Sequence, residues 1–428
     1  GGAATAALGY VGLIVGAALA GLVYVVIALI VKFAGVKWIN KIMPAVVIGP
    51  IVAIIGLSLA GNAIGDLTKV NYTEPVDMAQ VQIVEVNTVN DDGTITGSVV
   101  AVNDDGTVNP AITVTQDASG SVSGTTQPGS PYVAIICGLV TLAVVMLCSV
   151  YGKKMARLIP FIIGILAGYL VATIFYFIGK ATGNAALMVI DYSALINNFK
   201  TVSFSSFIAL PDFSFLKAFG AFGELNGAYI GTIAAAYVPV AFVVFAEHIA
   251  DHKNLSSIIG RDLLKEPGLH RTLLGDGIGS AAGAFFGGCP NTTYGESIGC
   301  VAISGNASVV TILTTAIICI VISFFGPFVT LLATIPRCVM GGVCITLYGF
   351  IAVSGLKMLQ PVDLNENRNL FTASTIFITG IGGMVLKIGD VTLTEVACAL
   401  ILGIIVNLIL GKMTRHNEPN MAGTRCRK

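Results

Sequence analysis

Nine long stretches of this chain are almost wholly apolar, and they constrain its fold more than anything else in the sequence. They occupy 9–31, 42–60, 131–151, 158–179, 225–246, 307–327, 330–353, 370–388 and 391–411. A helix rises about 1.5 Å per residue and the hydrocarbon core of a bilayer is about 30 Å thick, so about 20 apolar residues make one crossing. Composition agrees: 55% of the 428 residues are hydrophobic, 11% are charged and 50 are glycine. That excludes a soluble enzyme, a nucleic-acid binder and a disordered chain, and fits an all-α polytopic membrane protein.

A tenth block, 273–288, is weaker and rich in Gly and Ala. The stretch after it, CPNTTYGESIGCVAISGN at 289–306, has the length of a crossing but is too polar for a lipid-facing helix. Non-helical backbone at membrane depth survives only where protein or a cavity surrounds it. We read 289–306 as a broken, buried crossing, which gives eleven passes. Lys32, Lys37 and Lys41, then Lys153, Lys154 and Arg157, then Lys253, Arg261, Lys265 and Arg271 all fall on one side by this count. Lys357, Arg368 and the basic tail 412–428 join them, and the positive-inside rule makes that side cytoplasmic. The C-terminus is then inside and residue 1 outside. The opening GGAATAALGY fits either a processed signal peptide or a chain whose first spans are missing, and the second is our expectation.

Residues 61–130 form the one sizeable extramembrane insertion, and the topology puts them outside. Asp66, Glu74, Asp77, Glu85, Asp91, Asp92, Asp104, Asp105 and Asp117 face a single Lys69 in it. VNDDGTITGSVV and VNDDGTVNPAIT repeat there at a spacing of 13 residues. Asp-Gly between runs of Val, Ile and Thr signals a hairpin, so a small β-rich cap is expected. Its aspartates lack the spacing of a calcium loop, so no metal is expected there. The cysteines lie mostly in or beside apolar segments, where a small buried hydrophobe is their default role.

Charges at lipid depth are costly and therefore informative. Glu247 closes the run VPVAFVVFAEHIADH, and Asp251, four residues on, shares its helical face. His248 points to another face and reads as a hydrogen-bonded packing residue, while His252 and His270 read as loop residues. Glu296 lies in PNTTYGESIG, where Pro290 opens a turn and a short helix is expected just after. Broken helices at the bilayer midplane expose free backbone N–H groups that attract polar ligands. Two carboxylates facing a cavity there would grip a small neutral ring rich in N–H donors, and one could also carry a proton. P-loop, HExxH and zinc-ligand patterns are missing from the sequence, so neither an enzyme nor a cofactor is expected.

FAEHIADH (245–252), RDLLKEPGLHRTLLGDGIGSAAGAFFGGCPNTTYGESIG (261–299) and IPRCVMGGVCITLYG (335–349) resemble the nucleobase/ascorbate transporter family, and within it the uracil branch. The resemblance covers essentially the whole chain apart from 61–130. It implies a proton-driven symporter of uracil or a related pyrimidine in the bacterial inner membrane, with H+ as coupling ion. It further implies fourteen spans in two inverted seven-span repeats, of which residues 9–31 would be the fourth. Glu247 and Glu296 then correspond to the substrate-binding carboxylates, with Tyr294 and Gly295 beside them. Glu247, Asp251 and Glu296 are the proton-coupling candidates, Asp251 standing where the family has a histidine. The core domain would comprise 1–36 and 223–329, and the gate 37–60, 131–179 and 330–411, with a homodimer contact through the gate. An extracellular loop at 180–222 and a cytoplasmic tail at 412–428 complete the division. A purine or xanthine carrier is the nearest rival, which NTTYGE opposes. An anion exchanger is opposed by the two carboxylates, and a receptor working through the 61–130 cap is the third rival.

Overall fold

The structure, a computed structural model, describes residues 2–76, 81–89, 95–102, 109, 112–116, 122–153, 155–210, 213–218, 221, 223, 225–388 and 391–417. Its longer helices among these are α1 (Gly2–Ala34), α2 (Ala45–Ser58), α3 (Pro131–Tyr151), α4 (Pro160–Thr182), α5 (Gly227–Ile259) and α6 (Leu269–Phe285). They continue as α7 (Gly295–Ser304), α8 (Val309–Ser323), α9 (Arg337–Leu359), α10 (Asn367–Ile381) and α11 (Glu395–Asn417). Among the described residues, six segments are long and apolar enough to cross a membrane: Leu8–Ala34, Ala45–Leu67, α3, α4, α5 and α9. Val309–Ser323 and Glu395–Gly411 are shorter apolar helices. The all-α membrane class follows from these.

Local chemistry sets several helix ends. Ser130 accepts from the Tyr132 N–H ahead of α3, with Pro131 at the first helical position, where its missing N–H costs nothing. Asn226 caps α5 by accepting from the Tyr229 N–H at 2.7 Å. Gly260 then ends α5 at φ +70°, the left-handed conformation that favours glycine.

Two expectations need correction here. The run 225–246 is part of a longer helix: α5 continues to Ile259, with no Gly or Pro in AEHIADHKN to stop it. His252 therefore lies inside α5 and His270 inside α6, neither in a loop. The run 370–388 is not one span either. Helix α10 stops at Ile381, before Gly382 and Gly383, and Leu386–Ile388 (β6) pairs antiparallel with Val391–Leu393 (β7).

The chain packs as two units, the first made of Gly61–Leu210 and Ile312–Thr346 with the first two residues. It holds the insertion, whose strands are β1 (Glu74–Val76), β2 (Gln82–Val89), β3 (Ile95–Val102), β4 (Ile112–Gln116) and β5 (Val122–Thr126). Strands β2 and β3 pair antiparallel from Gln82↔Val102 to Val89↔Ile95, so the first Asp-Gly does join a hairpin, while its tip lies outside the described residues. A second sheet has the order β1-β5-β4. The Asp-Gly of the second repeat copy falls outside the described residues. In the same unit, Val133, Ala134 and Cys137 of α3 pack with Ala172 of α4 and with Cys338 and Val339 of α9. Tyr72, beside the sheet, donates to Glu74 at 3.0 Å, and burial together with that carboxylate pushes its hydroxyl up to about 12.

The second unit comprises Ala3–Ala60, Pro211–Thr311 and Leu347–Lys428. Its core joins Ile27 and Val31 of α1, Val47, Ile48 and Ile51 of α2, Phe245 and Ile249 of α5, Leu273 of α6 and Ile376 of α10. Helix α1 lies against two partners. Tyr229 of α5 donates its hydroxyl to the Leu8 carbonyl at 3.0 Å. At Gly21 a side chain would put its Cβ 2.6 Å from the Gly277 carbonyl oxygen, so α1 and α6 cross backbone to backbone at that point. Such crossings are typical of helices packed in lipid, where small residues allow close approach.

Candidate functional site

All of the sequence-predicted site residues fall in the second unit, on α5 and around the start of α7. Helix α5 carries Glu247, His248, Asp251 and His252 in two successive turns. Helix α6 ends at Phe285, and residues 288–294 run without helix until α7 begins at Gly295. The break expected in 289–306 is therefore present. It is held in place from α6: the Ser280 hydroxyl lies 2.6 Å from the Asn291 side-chain oxygen and accepts from the Asn291 N–H at 3.2 Å. Ser280 is itself buried, so this clasp fixes where the non-helical segment turns back.

Asp251 is 7% exposed, and a bare carboxylate at that depth would be strongly disfavoured. Its Oδ2 accepts from the Thr293 hydroxyl at 2.6 Å, a short charge-assisted bond. A Cβ built on Gly295 would lie 3.5 Å from Asp251 Oδ1. Thus the carboxylate rests against the first residue of α7, where the first turn leaves backbone N–H groups without helical partners. Of the predicted residues, Asp251 and Gly295 are brought together directly. Tyr294, the residue before α7, is exposed, and Glu247 is half-buried one turn before Asp251. Glu296 takes the second position of α7, and its side chain lies outside the described ones.

Behind Glu247 is a second polar group that the sequence reading did not assemble. His248, 1% exposed, places Nδ1 2.6 Å from Asp276 Oδ2 and Nε2 2.9 Å from Thr272 Oγ1. Both partners belong to α6. His248 is thus hydrogen-bonded, as its helical face suggested. His252 stacks on it with ring centroids 4.1 Å apart and lies 2.8 Å, through Nδ1, from the His248 carbonyl oxygen. Tyr24 of α1 faces the same group, its ring 6.4 Å from that of His248. One signal could have found Asp276: it is a carboxylate within the weak apolar block 273–288, and the rule applied to Glu247 covers it equally.

Comparisons with known proteins place the sequence in a family. Residues 2–89 and 111–389 match the family model Xan_ur_permease, described as Permease family. The uracil permease of Bacillus caldolyticus is 36% identical over 399 residues, covering 92% of this chain and 74% of that protein. The uracil permease of Bacillus subtilis (strain 168) is 34% identical over 400 residues, 92% of this chain and 75% of that protein. The uracil permease of Escherichia coli (strain K12) is 32% identical over 404 residues, 94% of this chain and 75% of that protein.

Proposed function

This chain belongs to the permease family Xan_ur_permease, and from that premise we propose that it imports uracil by proton symport across a bacterial inner membrane. The observation that carries the reading to particular residues is the meeting of Asp251 with the start of α7, one helical turn from Glu247. A broken helix beside a carboxylate-bearing helix can recognise a small polar ring without a bulk-water path. In this reading the Glu247 and Glu296 carboxylates accept the ring N–H groups, and Tyr294 and Gly295 line the same pocket. A proton taken up among Glu247, Asp251 and Glu296 removes a buried charge and links loading to the proton gradient.

Alternating access would then move a core of 1–36 and 223–329 against a gate of 37–60, 131–179 and 330–411. The gate would also carry a homodimer contact, and the exposed apolar faces would meet lipid. Helix α8, which buries none of its residues, is the clearest such face. The C-terminus would be cytoplasmic and the 61–130 insertion extracellular.

The test is uptake of labelled uracil by proteoliposomes containing the full-length protein, with and without an inward proton gradient. Accumulation that requires the gradient supports symport; uptake indifferent to it rejects the coupling. Asp251→Asn separates binding from coupling. The amide still accepts from Thr293 but cannot titrate, so uracil affinity should change by no more than about 3-fold. The gain in uptake from the gradient should largely disappear. A variant whose gradient response matches the parent would leave Asp251 as a structural partner of Thr293 alone.

A further inference from the structure

Thr272 Oγ1 lies 3.1 Å from the Leu269 carbonyl oxygen, to which its single O–H can donate. While it does so, the oxygen offers only lone pairs, so His248 Nε2 at 2.9 Å must carry a proton and donate. On the other side, Nδ1 and Asp276 Oδ2 are 2.6 Å apart, a separation that requires a proton between them. With both bonds made, the pair bears one proton more than a neutral imidazole beside an ionised carboxylate.

The same heavy atoms accept a second arrangement. If the Thr272 hydroxyl turns from Leu269 to donate to Nε2, the ring keeps only its Nδ1–H, directed at an ionised Asp276. The pair has then lost one proton, and its net charge has gone from zero to minus one. No side chain has moved. One hydroxyl rotation absorbs the change, at the loss of the bond to Leu269.

We propose that His248 and Asp276 are a proton-holding pair, with Thr272 as the rotor that lets it load and empty, and that it is coupled to the charge on Glu247. This deepens the symport reading and rests on it for its physiological sense. The described titratable groups nearest the pair are His252 on α5 and Tyr24 on α1, with Glu247 the residue before His248 and Asp251 one turn further along α5. His252 is engaged by the His248 carbonyl. Tyr24, 4% exposed, has no hydrogen-bond partner for its hydroxyl among the described residues. Glu247 precedes His248 directly on α5, so a charge on the pair acts on it at close range. Emptying the pair leaves a net negative charge there and favours a proton on Glu247. If that proton goes to Glu247, the pair passes from zero to minus one as Glu247 passes from minus one to zero, and total charge is conserved.

Two measurements test this. The first is a pH titration of ring-15N-histidine protein in lipid nanodiscs, which needs no substrate. His248 should pass from a ring with protons at both nitrogens, the Nδ1 proton shared with Asp276, to a neutral Nδ1–H tautomer. Thr272→Val removes the acceptor for Nε2–H in the loaded pair and the donor to Nε2 in the emptied one; the bond from the doubly protonated ring is the stronger, so the transition should move to the acid side, and Thr272→Ser should restore it. A ring that stays neutral and Nε2-protonated at every pH, or a Val variant that titrates like the parent, overturns the pair. The second measurement is the pH profile of uracil uptake for Asp276→Asn. It should shift or flatten while uracil binding at one pH changes by no more than about 3-fold, and a profile superimposable on the parent's overturns the coupling. Should the parent protein take up no uracil, the symport reading falls, and the titration still decides the pair.

Discussion

Replacing Glu296 by Gln should reduce uracil uptake about 100-fold, with a matching loss in binding affinity. The variant keeps the length and shape of the side chain, so packing at the start of α7 is spared. What changes is chemistry: a carboxylate offers only acceptors, whereas an amide presents an N–H2 group to a ring that itself arrives with N–H donors. A charge-assisted hydrogen bond is worth about 1.5–3 kcal/mol, and a donor set against a donor adds a desolvation penalty of similar size. Even the lower end of that sum, about 3 kcal/mol, corresponds to about two orders of magnitude in affinity. Glu247→Gln should behave alike, but the double variant should lose far less than the product, because in the proposed reading the two carboxylates grip one ring and removing either releases the other. Initial rates in proteoliposomes, with direct binding of labelled uracil, read both effects. Wild-type binding by Glu296→Gln would remove that side chain from the site.

The apolar blocks were legible because about 20 consecutive residues without charge leave a helix few alternatives in lipid. The break before α7 was legible too, since Pro290, Gly295 and Gly299 punctuate a run too polar for a lipid-facing helix. What the sequence hid was where polar residues prolong a helix. AEHIADHKN looks like a membrane boundary by hydropathy, yet helix propensity and burial against α6 carry α5 on to Gly260. Pairings were hidden for a different reason. Asp251 with Thr293 spans 42 positions and His248 with Asp276 spans 28, and such contacts depend on how helices cross, which no local pattern encodes. His248 could be read as a hydrogen-bonded residue from its face of α5, but its partner could not, because a carboxylate in a Gly-rich block looks the same whether it is paired or interfacial.

The crossing that makes those pairings exist yields the other large effect, and here two physical arguments predict opposite signs. Gly21 lies inside α1, where intrinsic propensity favours Ala over Gly by about 1 kcal/mol and Leu over Gly by nearly as much. By propensity alone, Gly21→Ala and Gly21→Leu should stabilise the protein. Packing says otherwise. A Cβ at Gly21 meets the Gly277 carbonyl oxygen at 2.6 Å, and one at Gly277 meets the Gly21 oxygen at 2.9 Å. Neither atom belongs to a flexible side chain, so relief requires α1 and α6 to move apart. Overpacking of this kind typically costs about 1–3 kcal/mol, and the longer Leu should reach or exceed the top of that range. The displacement would also be felt one helical turn away. Tyr24 follows Gly21 by three residues and Asp276 precedes Gly277 by one, so opening the crossing draws the tyrosine from the His248–Asp276 pair. Gly21→Leu should therefore lower the thermal unfolding midpoint of the purified protein in detergent and abolish uptake, with Gly21→Ala intermediate in both. Packing and propensity are separated by the sign of the change alone: a Leu variant that unfolds later than the parent and still transports would mean that α1 does not meet α6 at this residue, and the polar cluster behind Glu247 would lose its Tyr24 wall.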